Sequence, residues 1–216
     1  MRGHSRFQWA GTLPFALTLA TLLPAAALGE KLRNHFDSDA FMREPAFFDF
    51  VALGAPGETS WKVVAEFNPP SAPNAISQVV SSRPAESIGA ALRRTVTLRD
   101  GTLLLGIKKT PGIGGIVFRL ADEKNYLAVL IDPVTGQARL LQSRAGRTTE
   151  LARATSETPR EWGVLTVELS GSRVAAAWEG KPLFEAQDAA PAAGRVGIAT
   201  AGPGIMTFDE FVIDGK

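Results

Sequence analysis

Apolar and polar residues alternate with a period of two along much of the chain beyond residue 60. The alternation is clearest in Trp162–Leu169, where Leu165, Val167 and Leu169 fall on one face. This period is typical of a strand with one face against a core. Residues 114–132, GGIVFRLADEKNYLAVLID, place two apolar runs around a polar stretch, which predicts a β-hairpin.

Turn signals recur about every 8–12 residues and separate about ten to twelve such segments. This spacing is expected of an all-β sandwich or barrel. Ser170-Gly171 and Glu179-Gly180 are predicted two-residue hairpin loops, in which glycine supplies the positive φ. The predicted strands are Trp61–Phe67, Ile76–Val80, Thr102–Lys108, Gly115–Leu120, Tyr126–Ile131, Ala138–Gln142, Trp162–Leu169, Arg173–Trp178, Pro182–Glu185, Arg195–Thr200 and Met206–Ile213.

A long helical period is absent from the sequence. Glu86–Leu92 is predicted as one helical turn, and the rest of Pro69–Arg94 as a loop rich in proline, serine and alanine. A connection of this length in a compact domain is either functional or mobile.

The hairpin of residues 114–132 carries one arginine, Arg119, in its first apolar run. Alternation puts Ile116, Phe118 and Leu120 on one face and Arg119 on the other. A lone buried charge is costly, so Arg119 is expected on the outer or concave face. The returning strand, Tyr126–Ile131, is apolar on both faces, which predicts that this pair is central in its sheet or partly covered by a loop.

The N-terminal residues have the pattern of a secretory signal peptide. Residues 1–9 carry two arginines and no acid, Ala10–Leu28 is apolar and uncharged, and Ala27-Leu28-Gly29 fits a cleavage site before Glu30. An uncleaved membrane anchor is the alternative, since the apolar stretch could just span a bilayer. We therefore expect a signal peptide over 1–29, one domain over 30–216, and no stable membrane span after cleavage.

The composition limits the cellular locations and the classes of binding partner that we expect. The 216 residues carry a net charge of +1, without the clustered basic surface that nucleic acid requires, so no nucleic-acid partner is expected. The sequence contains no cysteine, which excludes disulfides and a lipid anchor on cysteine. With the signal peptide, this favours a periplasmic or secreted protein.

Several short motifs occur in an order that resembles the concanavalin A-like jelly-roll proteins. Among these, the sequence is similar to the exported family named for 3-keto-disaccharide hydrolase, which is related in fold to family 16 glycosidases. The motifs are FDSD (Phe36–Asp39), SWKVV (Ser60–Val64), PNAISQ (Pro73–Gln78), LRDGTL (Leu98–Leu103), GGIVFRLADEKNYL (Gly114–Leu127), EWGVLTVELSG (Glu161–Gly171), WEGKPLFEAQD (Trp178–Asp188), GRVGIAT (Gly194–Thr200) and TFDEF (Thr207–Phe211).

The resemblance implies an all-β fold, a concanavalin A-like jelly-roll β-sandwich of two antiparallel sheets. It implies a carbohydrate-binding or carbohydrate-associated module, or a 3-keto-glycoside hydrolase or lyase. A structural envelope domain that binds another protein is a third alternative. The family pattern often has two tyrosines after the asparagine, whereas the second is Leu127 here.

The sequence indicates no catalytic residues. Family 16 glycosidases carry E-x-D-x-E on one strand, and that run is missing, while the neighbouring carboxylates of Asp209 and Glu210 point to opposite faces. Only two histidines are present, and one, His4, lies in the signal peptide. G-x-S-x-G, H-E-x-x-H and P-loop patterns are also absent. These observations favour a non-catalytic module.

A structural calcium ion is one candidate ligand. Calcium takes carboxylate and carbonyl oxygens. The first and last strands of jelly rolls are commonly neighbours, so Asp37 and Asp209 could share the ion. The alternative is that both carboxylates only accept hydrogen bonds within turns or at a sheet edge.

A sugar site needs planar hydrogen-bonding groups and an aromatic face. The residues available for it are Gln78, Arg119, Asn125, Tyr126 and Trp178. Each has a structural alternative: Asn125 can end a turn, Tyr126 can fill a half-buried strand position, and Trp178 can cover a sheet edge. Gln78 and Arg119 could simply satisfy each other on a half-buried sheet.

Overall fold

A computed structural model of the protein describes Met1 and residues 31–215. Fifteen strands make up this part of the chain, and it contains no helix. The strands are β1 (Lys31–Asn34), β2 (Phe48–Gly54), β3 (Trp61–Ala65), β4 (Asn74–Gln78), β5 (Ser87–Leu98), β6 (Gly101–Lys108), β7 (Ile113–Asp122), β8 (Asn125–Ile131), β9 (Gln137–Arg144), β10 (Arg147–Thr155), β11 (Trp162–Ser170), β12 (Arg173–Trp178), β13 (Lys181–Gln187), β14 (Gly194–Ala201) and β15 (Met206–Gly215).

The strands form two antiparallel sheets. Sheet A has eight strands in the order β13-β12-β11-β6-β15-β4-β3, with β1 also paired to β15. Sheet B has seven strands in the order β10-β9-β8-β7-β14-β5-β2. Consecutive strands often lie in different sheets, so the chain crosses repeatedly between them. The fold is therefore the predicted two-sheet jelly-roll β-sandwich.

One apolar core fills the space between the sheets. Alternation along the strands supplies it, since every second residue points inward. Trp61 lies in this core, and its ring is 5.9 Å from that of Phe208. The core includes Leu103, Leu105, Ile107, Ile116, Phe118, Leu127, Val129, Ile131, Leu165, Val167, Leu169, Val196, Ile198 and Ile213.

A second apolar cluster lies on the other face of sheet B. It confirms that both faces of β8 are buried and that the β7–β8 pair is central in its sheet. Alanines occupy the middle of this face. The cluster consists of Leu53, Ile88, Ala90, Leu92, Val117, Leu120, Tyr126, Ala128, Leu130, Ala199 and Ala201.

This outer face of sheet B is concave. Tyr126 on β8 and Gly54 on β2 are separated in the sheet by three strands. In a flat sheet they would be roughly 19 Å apart, at about 4.8 Å per strand. A Cβ atom built on Gly54 would instead lie 3.6 Å from the Tyr126 hydroxyl oxygen. The sheet therefore curls over its outer face, as strongly twisted sheets do.

The helical turn predicted over Glu86–Leu92 is wrong, and the loop predicted for the rest of Pro69–Arg94 is wrong at its C-terminal end, because β5 begins at Ser87. The strand predicted within this segment, Ile76–Val80, corresponds to β4. Residues Ile88–Leu92 of β5 are all buried, because both faces of sheet B are covered, so no alternation marks the strand. The sequence also gave no signal for β1, β2 and β10; β10 is a largely polar edge strand.

The predicted signal peptide lies outside the described residues and stays a prediction. Within residues 31–215, no helix is long and apolar enough to cross a bilayer.

Candidate functional site

Arg119 does not face the concave side, and that expectation is wrong. A β-bulge follows Phe118, and Arg119 itself has a φ of 49°. The bulge turns Arg119 toward the turns of sheet A, where Nη2 donates to the carbonyl of Gly171 at 2.5 Å. It also moves Leu120 to the outer cluster, away from Ile116. An extra residue in a strand reverses the faces that simple alternation assigns.

Arg119 is buried in an ion pair with Asp188. Its Nη1 donates to the Asp188 carboxylate at 2.8 Å, and both side chains are almost inaccessible to solvent. Arg144, Gln142 and the amide of Ala190 also donate to this carboxylate. Burial alone would raise the pKa of Asp188, but these hydrogen bonds and charges hold it below its usual value. The network fixes one end of the sandwich.

Asn125 and Tyr126 are bound within the β7–β8 and β9–β10 hairpins. The Asn125 amide donates to Asp122 and accepts from the Ala145 main-chain amide at 3.0 Å. Tyr126 is 2% exposed, and burial raises its pKa although Thr148 beside it acts in the opposite direction. Asn125 thus follows a turn, as its structural alternative predicts, whereas Tyr126 is fully buried and not half-buried.

Gln78 and Trp178 are also buried. The Trp178 ring covers Gly163, and its Nε1 donates to the carbonyl of Glu157 at 3.2 Å. Gln78 lies in β4 opposite Met206, at the beginning of β15, whereas Arg119 contacts the turn that leads into β6, beside the end of β15. The two residues are thus at opposite ends of the sandwich. The five predicted ligand residues do not converge on one surface, and a ligand role for them stays a prediction.

The first strand, β1, pairs with the last, β15, as expected; Asp209 lies in β15, and Asp37 follows β1 by three residues. Each accepts a main-chain hydrogen bond from residues 68–74: Asp209 from the amide of Ser71 at 2.6 Å, and Asp37 from that of Asn74 at 3.1 Å. Nowhere among residues 31–215 do three or more acidic, histidine or cysteine side chains group as metal ligands. A calcium ion shared by Asp37 and Asp209 stays a prediction.

Burial raises the pKa of Asp209 to about 6. The carboxyl group is fully buried, and the hydrogen bonds from the Ser71 and Glu210 amides only partly offset the loss of hydration. Asp209 lies in the bulge of β15, where Glu210 has a φ of 52°.

The concave face of sheet B holds the best candidate for a ligand site. A cavity of about 430 Å³ lies between β2 and the tip of the β7–β8 hairpin. Its apolar part is formed by Val51, Leu53, Leu92, Leu120 and Ala121, and its rim by Asp122, Glu123, Lys124 and Arg195. An apolar cavity with a few convergent polar groups is the usual form of a small-molecule site.

Two carboxyl groups beside this cavity, those of Asp122 and Asp49, have a lowered pKa. The amide of Lys124, at 2.8 Å, and the Asn125 side chain lower the pKa of Asp122. Hydrogen bonds from Arg94 and Arg195 lower the pKa of Asp49, which lies beside Leu92 on the same face. These groups can accept hydrogen bonds from hydroxyl groups, but they are poor proton donors.

A groove of about 500 Å³ lies on the outer face of sheet A, over β11, β12 and β13. Its alanine floor is bordered by Glu168, Arg173 and Glu185. Arg173 pairs with Glu185 at 2.9 Å and with Glu168 at 3.5 Å. At the sheet B cavity, by contrast, Glu123 and Lys124 on the rim form no ion pair among residues 31–215, so this cavity is the better candidate.

The sequence did not identify the residues around this cavity. The sequence pattern predicts only a turn at Asp122, Glu123 and Lys124, and only a strand position at Arg195. One weak signal is present in the sequence: Arg195 is a charged residue in a strand whose other residues are apolar or small. The curling of sheet B, which brings the hairpin tip over β2, has no local signature in the sequence.

Comparison of the sequence with protein-family models and with curated proteins finds no match. Among solved structures, the fold is similar to that of carbohydrate binding module CBM66 from Bacillus subtilis, with a TM-score of 0.58 and 14% identity over 77% of this chain and 95% of that one. It is also similar to a β-glucanase from Bacillus licheniformis, with a TM-score of 0.57 and 9% identity over 87% of this chain and 99% of that one.

A third similar structure is a Bacillus subtilis protein of unknown function with a galectin-like fold. It has a TM-score of 0.53 and 14% identity, covering 77% of this chain and 89% of that one. At these identities the likenesses show the fold alone. The protein is therefore a β-sandwich of the concanavalin A-like, jelly-roll class.

Proposed function

We propose that this protein is an exported, non-catalytic carbohydrate-binding module whose ligand occupies the concave cavity of sheet B. The main support is the cavity, with its leucine floor and its rim of charged side chains, among which Asp122 has a lowered pKa. Sugars present apolar ring faces and outward hydroxyl groups, which such a lining matches.

The state of the carboxyl groups supports binding rather than hydrolysis. A glycosidase needs a carboxylic acid with a raised pKa beside a second carboxylate. At the cavity, the pKa of Asp122 is lowered. Among the described residues, Asp209 alone has a carboxyl pKa raised in this way, and it is buried against Ser71 in the other sheet.

Calorimetric titration with a panel of oligosaccharides and 3-keto-disaccharides tests the proposal, with product analysis of the same samples. Glu123→Gln should weaken binding about tenfold or more, since hydrogen bonds to charged groups contribute about 1.5–3 kcal/mol. Glu168→Gln, in the groove of sheet A, is the matched control and should bind normally. The opposite pattern would move the site to sheet A, and release of cleaved sugar would favour the 3-keto-glycoside hydrolase alternative.

Export is a separate part of the proposal. It rests on the signal-peptide pattern of residues 1–29. Expression of the whole chain in a bacterium, followed by mass spectrometry of the periplasmic fraction, should give a product that begins at Glu30. An intact chain in the membrane fraction would support the uncleaved anchor instead.

A role in protein binding is favoured by one feature, the loop between β1 and β2. Phe41, Met42 and Phe47 are 61%, 54% and 64% exposed. Two hydrogen bonds to Val63 hold the loop against the edge strand β3. Exposed apolar patches of this kind often mark interaction sites.

A further inference from the structure

One end of the sandwich interior contains polar groups that the proposed sugar site does not use. On the inner face of sheet B, Thr200 lies between Gly114 and Gly89 in neighbouring strands. On the inner face of sheet A, Gln78 lies between Trp61 and Met206 at the same end. The two glycines have no side chains, so neighbouring side chains cover them closely: Arg83 lies over Gly89, and Phe208 and Met206 lie over Gly114.

The side chain of Arg83 extends to this end of the sandwich from the loop between β4 and β5. Its Nη2 donates to Thr200 Oγ1 at 2.7 Å, and the side chain lies over Gly89. A Cβ atom on Gly89 would be only 2.4 Å from Arg83 Nη1 and 3.1 Å from Thr59 Oγ1. The guanidinium group, Thr59 and Thr200 therefore meet at one point.

This guanidinium group has no counter-charge among residues 31–215. Arg83 is 6% exposed, and its Nε and Nη1 have no hydrogen-bond partner. Its contrast is Arg119, which is equally buried but pairs with Asp188. A buried charge without a partner costs several kcal/mol, so the arrangement requires a compensating anion.

Further polar atoms without a partner lie at the same end of the sandwich. They are the donors Ser87 Oγ and Gln78 Nε2 and the acceptor Gln78 Oε1, all of them buried. Ser87 lies on β5 two residues before Gly89, and thus on the same inner face. Thr59 Oγ1 already accepts from Trp61 Nε1 at 2.7 Å, which leaves its hydrogen free to donate. A guanidinium, hydroxyl groups and an amide together suit an anion.

We propose that this end of the sandwich binds a small monovalent anion of about the size of chloride, held by Arg83, Ser87 and Thr59 with Gln78 facing them. A small ion is favoured because the side chains that cover Gly89 and Gly114 leave no room for a larger ligand. The anion would join the loop that carries Arg83 to both sheets, and so stabilise the strand ends around it.

Thermal unfolding of the protein in sodium chloride, against sodium gluconate at equal ionic strength, tests this site. Chloride at a hundred times its Kd should raise the midpoint by roughly 5–10 °C, because it binds only the folded state. Arg83→Met and Ser87→Ala should lose most of this dependence. Arg147→Met, which alters an exposed arginine of β10, should keep it.

Crystals grown in sodium bromide give a second, independent measurement. Anomalous density within contact distance of Arg83 Nη1 and Ser87 Oγ is the expected result. The proposal is overturned if the wild-type midpoint does not depend on chloride, or if Arg83→Met responds as strongly as the wild type. It is equally overturned if only water occupies the space in bromide crystals.

Discussion

Asp188→Asn is expected to destabilise the fold strongly without changing its shape. The Asp188 carboxylate is buried and accepts hydrogen bonds from Arg119 and Arg144 at 2.8 and 2.7 Å. The amide keeps the size of the side chain but removes the charge that balances Arg119. Breaking a buried pair by removing one partner costs about 3–5 kcal/mol, out of the roughly 5–15 kcal/mol that stabilise a typical domain.

Urea unfolding at pH 7, followed by tryptophan fluorescence, measures this loss. Glu150→Gln is the matched control, since Glu150 pairs with Arg153 on the surface and such exposed pairs contribute little. The double variant Arg119→Met/Asp188→Asn should recover part of the loss, because it removes the uncompensated charge. A loss below about 1 kcal/mol for Asp188→Asn would refute the conclusion that burial makes this ion pair essential.

Acid should weaken the contribution of the same pair. The pKa of Asp188 is lower in the folded protein than its usual value of 3.8. Its contribution is therefore complete above that value and is lost as the pH falls through the folded pKa. The difference in stability between wild type and Asp188→Asn should shrink below pH 4, and a constant difference would contradict this assignment.

Asp209→Asn should change the pH dependence in the opposite direction. The folded pKa of about 6 lies above 3.8, so the stability from this group is complete below 3.8 and is lost as the pH rises through 6. Relative to wild type, the variant should gain up to about 3 kcal/mol between pH 3.5 and 7.5 in urea titrations, and no relative gain would count against the raised pKa. Gly163→Ala should destabilise the protein by about 1–3 kcal/mol, since overpacking a core has that cost. The new Cβ would be 2.2 Å from Trp178 Cζ2; an unchanged midpoint and tryptophan spectrum would show that the ring moves freely.

Much of the fold could be predicted from alternation and turn chemistry. Arg173–Trp178 has the predicted bounds, and the Glu179-Gly180 turn has positive φ at both positions, which a two-residue hairpin with matching twist requires. β5 was missed because its first half is buried on both faces and reads like a helical turn. Alternation is visible only where one face of a strand is polar.

The candidate site was much less predictable, because it depends on tertiary geometry. The partner of Arg119 is 69 residues away in the sequence, and a bulge reverses the face of that arginine. The cavity arises from the curl of sheet B, which brings Lys124 over β2. Curvature is a property of the whole sheet, and no short segment specifies it.

The most direct test of sugar binding on the concave face is a chemical-shift titration of the ¹⁵N-labelled protein with the sugar that binds in calorimetry. The largest shifts should map to Val51–Leu53, Leu120–Lys124 and Arg195, with the outer face of sheet A unchanged. Shifts confined to Ala175–Glu185, or scattered over both sheets, would contradict binding at this cavity.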